Sequence, residues 1–200
     1  MKYLFNPIEV LEKEKEEKNT VKSIVILLVA SAVLALSAAI GIFRVLSSVL
    51  GTTGFDLGYF GAGLGTGIVA VIVFVLVFIG GLFFGLVLKM IFTVLGGEGG
   101  YFEGLSVIAY SLLPFSIGAL ISSVCTFIPF VGGVISFAAL AIFGAVAYAT
   151  LYRASKELFN TDMITSFIGI TVLVGVMVLA LYISLFSTLM GLTGIIPEFP

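Results

Sequence analysis

The 200-residue chain has no histidine, no tryptophan, one cysteine, and only nine basic and eleven acidic residues. Each shortage removes a class of chemistry. Without histidine there is no Ser-His or Cys-His pair, no imidazole base and no His-containing zinc motif. Cys125 alone closes no internal disulfide, so cysteine usage leaves the redox compartment open. A net charge of −2 with no basic patch gives no electrostatic footprint for nucleic acid. No catalytic set, metal-ligand set or cofactor is implied by what remains.

What remains is oil-like. Apolar residues make up 60% of the chain and charged ones 10%, with a mean hydropathy of +1.30; soluble domains carry about 25% charged residues. Nothing ionisable lies between Lys22 and Arg44, Asp56 and Lys89, Glu103 and Arg153, or Asp162 and Glu198. Those gaps hold 21, 32, 49 and 35 residues. A helix crosses the hydrocarbon of a bilayer with roughly 20 apolar residues at about 1.5 Å rise each. The gap of 49 therefore fits two crossings and a turn, and each of the others fits one. The expected fold is all-α, an integral membrane bundle of five transmembrane helices preceded by a short interfacial helix. Expected spans are 23–43, 64–88, 104–124, 130–152 and 163–190. They make one membrane domain, 23–190, between an amphipathic segment 1–22 and a short tail 191–200. A glycine-dense loop (Gly58, Gly61, Gly63, Gly65, Gly67) is expected before the second span.

In the first segment, Asn6 suits a helix cap, Pro7 the first helical position, and Glu9 the third residue of a capping box. Phe5 and Val10 are placed for a hydrophobic staple. Ala30-Ser31-Ala32 resembles a signal-peptide cleavage site, but five glutamates precede an apolar run longer than a signal core, so cleavage is not expected. Basic residues are held on the cytoplasmic side of membranes. Five crossings place eight of the nine (Lys2, Lys13, Lys15, Lys18, Lys22, Lys89, Arg153, Lys156) on one side and Arg44 alone on the other. The N-terminus is thus expected in the cytoplasm and the C-terminus outside it.

No expected span contains an ionisable residue, which disfavours proton relay, voltage sensing and a charged substrate site. Glu98 and Glu103 share a loop, five residues apart, and are the one acidic pair that could act together on a substrate; solvated charges that mark the membrane boundary are the simpler and expected role. Gly96-Gly97-Glu98-Gly99-Gly100 lacks the spacing of a dinucleotide fingerprint. Gly61/Gly65, Gly63/Gly67 and Gly81/Gly85 form small-xxx-small pairs for close helix packing. Ser106, Ser111, Ser116, Ser122 and Ser123 can hydrogen-bond to neighbouring helices. Pro114, inside the third span, removes a backbone donor and is expected to kink the helix, with Tyr110 one turn earlier on the same face.

Leu95-Gly96-Gly97-Glu98-Gly99-Gly100-Tyr101-Phe102, followed by Ala109-Tyr110-Ser111-Leu112-Leu113-Pro114, resembles the Yip domain family of Ypt/Rab-interacting multi-pass membrane proteins. That family's pattern has a Gly-Gly-x-Gly loop with an aromatic, then a Gly-Tyr-x-Leu-Leu-Pro-like stretch. Gly96, Gly97, Gly99, Tyr110, Leu112, Leu113 and Pro114 match it, while Ala109 replaces the usual glycine. Asn6-Pro7 before an amphipathic helix is similar to the start of prokaryotic members. Five spans with the N-terminus inside are the family's topology too; Asn6, Pro7, Glu98 and Glu103 are the candidate contacts for a partner or ligand. Eukaryotic members carry an Asp-Leu-Tyr-Gly-Pro stretch before the first span. Here Asp56-Leu57-Gly58-Tyr59 follows that span, on the opposite side, which argues against a small GTPase partner and for the prokaryotic branch.

The function expected is a non-enzymatic scaffold or organiser in the cell membrane, bound to the lipid bilayer and to other membrane proteins or copies of itself. The alternative is a small channel or permease subunit for a neutral solute or ion, gated at the Gly-rich loop and Pro114.

Overall fold

With no water in a bilayer to satisfy amides, a chain this apolar must close its backbone hydrogen bonds internally, and a helix does so within one segment. The computed structural model describes residues 20–51 and 57–193, and among these every regular element is a helix. The elements are α1 (Thr20–Gly51), α2 (Leu57–Val94), α3 (Tyr101–Cys125), α4 (Gly132–Leu158) and α5 (Met163–Thr193). Four of them contain stretches long and apolar enough to cross a membrane: Thr20–Ser47, Gly63–Val94, Tyr101–Cys125 and Gly132–Leu158. In α5 the apolar stretch with described side chains is Met163–Leu179, and the helix runs on to Thr193. The expected interfacial helix at Asn6-Pro7 lies outside the described residues.

One sequence expectation is corrected. The glycine-dense stretch before the second crossing is not a loop, because α2 already begins at Leu57 and includes Gly58, Gly61, Gly63, Gly65 and Gly67. Glycine costs a helix about 1 kcal/mol per residue. An amide left unsatisfied in hydrocarbon costs several kcal/mol, so the helix wins.

The axis of the bundle is α3, which packs against α1, α2 and α4. Its polar residues explain much of that position. Ser23 and Ser106 hydroxyls meet at 2.7 Å between α1 and α3, and Ser37 meets Ser123 at 2.8 Å further along the same pair. Ser136 of α4 donates to the Ser122 carbonyl at 2.6 Å. By contrast, Ser111 and Ser116 turn back onto the Ile108 and Leu113 carbonyls of their own helix. Close approach is set by glycine. A Cβ on Gly104 would strike the Gly85 carbonyl oxygen, and one on Gly81 would sit 2.6 Å from Leu27. The Gly81/Gly85 pair thus packs inside the monomer, whereas Gly63 and Gly67 face open space. Pro114 is buried, and α3 continues as one helix through it.

Buried side chains concentrate towards the end of the bundle that holds the 95–100 and 159–162 turns. Leu88, Phe92, Val107, Tyr110, Ala154, Leu158, Phe159 and Leu173 form that core, with Leu27, Leu105 and Ala109 as a smaller cluster beside it. Outward faces stay apolar: Val71, Leu76, Ile79 and Phe83 of α2 and Ile164, Phe167 and Val178 of α5 are exposed. A surface of that kind needs lipid or protein against it.

Candidate functional site

The Gly-rich turn and the α4–α5 turn are built by the same device. Gly96 takes a positive φ of 81°, a conformation that is cheap only without a Cβ. Its amide donates to Thr93 O at 3.3 Å, and the Gly97 amide to Phe92 O at 2.8 Å. Those two bonds make a Schellman cap that satisfies the last carbonyls of α2. At the end of α4, Asn160 takes φ 51° and the Thr161 amide donates to Lys156 O at 3.2 Å. Asparagine is the residue after glycine that best tolerates this position.

The two caps are interlocked. The Glu98 amide donates to Phe159 O at 2.9 Å. Phe92 and Phe159 stack with centroids 4.5 Å apart and planes 13° from parallel. A Cβ on Gly99 would enter the Phe159 ring, and one on Gly97 would lie 3.1 Å from Phe92 O. Gly169 brings α5 onto the same ring, its added Cβ falling 2.7 Å from Phe92 Cζ.

Acidic residues start the helices that leave this platform. Glu103 Oε2 accepts from the Gly100 amide at 2.7 Å, the half of a capping box that glycine at the cap allows. Asp162 Oδ1 accepts from the Thr165 amide at 3.3 Å, and Thr161 and Ser166 hydroxyls meet at 2.8 Å. Hydrogen bonds from Thr165, and then from Ile164, hold the Asp162 carboxyl below its ordinary value.

The sequence-derived residues divide accordingly. Gly96, Gly97 and Gly99 shape the platform, and Tyr110 lies in the core that supports it. Glu98 is exposed on the platform, whereas Glu103 is buried and committed to its cap, so the two carboxylates serve different ends. Leu112 faces an apolar cavity of about 580 Å³, whose walls include Leu76, Phe84, Phe115, Leu151 and Met177. Leu113 is half-buried, and Pro114 lies inside α3 away from the turns. Asn6 and Pro7 lie outside the described residues. Sequence reasoning missed the Phe92–Phe159 stack, the Gly104 contact and the Asn160 cap. Of these, only Phe159-Asn160-Thr161-Asp162 carried a readable signal, an αL-tolerant residue just before a capping acid.

A sequence model of the Yip1 domain matches residues 1–186. The chain belongs to the Yip1 domain family. No curated protein and no solved structure matches it. Yip1 proteins are non-enzymatic membrane proteins that interact with lipid and with other proteins. Membership therefore makes this a multi-pass helical membrane protein. Gly97 and Gly99 pack against Phe92 and Phe159, Tyr110 belongs to the same core, and Leu112 lines the mid-bundle cavity.

Proposed function

We propose that this Yip1 protein is a non-enzymatic organiser that holds other membrane proteins, or copies of itself, beside it in a cell membrane. Five crossings put the N-terminus and the interlocked turns in the cytoplasm, and the tail beyond residue 190 outside it. The observation that carries this reading is the platform. Two capped turns, pinned by Glu98 N to Phe159 O and by the aromatic stack, hold Glu98, Arg153, Lys156 and Asp162 exposed on one end of the bundle. Charges of both signs on a stiff support give a partner a fixed pattern to read. Asn6 and Pro7 would extend that contact.

Co-purification in mild detergent tests the reading. A specific partner, or a second copy, should be recovered with the native chain and depleted at least several-fold by Glu98→Lys with Lys156→Glu. A chain that stays monomeric and alone in every mild detergent would overturn it. The channel alternative draws no support from the mid-bundle cavity, whose walls are apolar apart from Tyr148 and Ser111, the latter bonded to its own helix. Solute flux in reconstituted vesicles that responds to Pro114→Ala would restore that alternative.

A further inference from the structure

The far end of the bundle holds a second feature that the platform does not use. Arg44 stands 22 residues beyond Lys22 on the continuous α1 helix, a rise of about 33 Å. The hydrocarbon core is about 30 Å thick. With Lys22 at one interface, Arg44 therefore reaches the headgroup layer of the opposite leaflet. It is the one basic residue that the charge pattern places on that side.

Its surroundings are those of a receptor for an anion. The guanidinium lies 5.1 Å from the Phe127 ring centroid, which fixes its plane. Nη1 is buried and has no hydrogen-bond partner. Arginine is permanently cationic and offers five donors in a planar fork, so a buried unmatched donor calls for an acceptor. Arg44 also lines a cavity of about 680 Å³, whose walls include Gly41, Thr126, Ile128, Phe130 and Gly133. Apart from Arg44, its one polar side chain is Thr126, whose hydroxyl already donates to Ser123 O at 2.6 Å, and the rest of the wall is apolar, which suits a phosphate carried on acyl chains better than a hydrated free ion.

The loop beside the cavity is held in an unusual shape. Phe130 has φ 62°, and Val131 N–H donates to Pro129 O across it at 2.7 Å. For a bulky residue that conformation is strained, and such strain collects at binding sites. It turns the Phe130 side chain fully outward, 105% exposed, where an aromatic can sit among lipid chains.

We propose that Arg44 and the cavity it lines bind the phosphate of an anionic phospholipid in the leaflet at the 126–131 end, with Phe130 seated among its acyl chains. The site is independent of the organiser reading, since it lies at the opposite end of the bundle from the platform. The guanidinium fork takes the phosphate oxygens in a charge-assisted pair.

The test is thermal unfolding of the full-length delipidated protein with dioleoyl phosphatidylglycerol, dioleoyl phosphatidylcholine or inorganic phosphate. Phosphatidylglycerol should raise the midpoint more than phosphatidylcholine does, and inorganic phosphate should leave it unchanged. Arg44→Gln should abolish the difference between the two lipids, and Arg44→Lys should keep part of it. Gly133→Leu keeps the arginine but fills the cavity, and it has room because nothing lies within 4 Å of an added Cβ there. It too should erase the lipid preference, whereas Lys156→Gln, at the other end, should preserve it. A preference that survives in both Arg44→Gln and Gly133→Leu would overturn the proposal. So would stabilisation by inorganic phosphate equal to that by phosphatidylglycerol, which would make the site one for a free anion.

Discussion

Gly104 and Gly67 are the same residue type in the same kind of helix, yet their surroundings make opposite demands. An added methyl on Gly104 meets the Gly85 carbonyl, a backbone atom that yields only if α2 and α3 separate. Gly104→Ala should therefore destabilise by ~1–3 kcal/mol, the usual cost of overpacking. Gly67 faces open space, and Gly67→Ala should stabilise by ~0.5–1 kcal/mol through helix propensity and lost unfolded-state freedom. Thermal unfolding in detergent compares the pair directly. Asp162 gives a residue-scale prediction in pH. Its folded-state pKa is depressed by the Thr165 and Ile164 hydrogen bonds, so its contribution is complete above the ordinary carboxylate value of 3.8 and fades as pH falls through the lower folded value. The gap in unfolding midpoint between the native chain and Asp162→Asn should hold at neutral pH and close in that acid window. A constant gap would show that charge plays no part in the cap. Neither glycine's role could be read from composition, because both positions look like ordinary members of a glycine-rich membrane chain.

At the scale of elements, α3 organises the bundle through hydroxyls. Ser23 and Ser106 satisfy each other in a buried contact between α1 and α3. Removing either alone strands the other, and in membranes such a bond is worth roughly 0.6 kcal/mol and at most about 1.7. Ser23→Ala and Ser106→Ala should each destabilise by about that much, while the double variant loses little more than one single; a double-mutant cycle measures the coupling. Additive losses would mean that the contact contributes nothing. The serines of the third span were legible as candidates for such bonds, but Ser106 and Ser123 reach α1 whereas Ser111 and Ser116 bond their own helix. Rotation of α3 about its axis decides between these outcomes, and rotation is fixed by packing. The glycine-dense start of α2 was misread as a loop because turn composition was weighed without the cost of open backbone in lipid.

For the whole molecule, the proposed orientation is open to cysteine labelling. In a Cys125→Ala background, Glu98→Cys should react with an impermeant reagent only from the cytoplasmic face, and Phe130→Cys only from the opposite one. Labelling of both from one face would reverse or dismantle the assignment of sides. The sequence alone determined that the molecule is helical and apolar and where its main turns fall, because ionisable residues cannot lie far inside hydrocarbon and so mark the ends of each helix. It also carried the motif by which the family can be recognised. Tertiary structure alone decided that the Gly-rich turn is locked to the α4–α5 turn through Phe92 and Phe159, that Glu103 faces inward, and that Arg44 lines a cavity. Those facts depend on which faces of distant helices meet. Contacts between helices are selected by shape, at separations along the chain over which no local pattern of residues carries information.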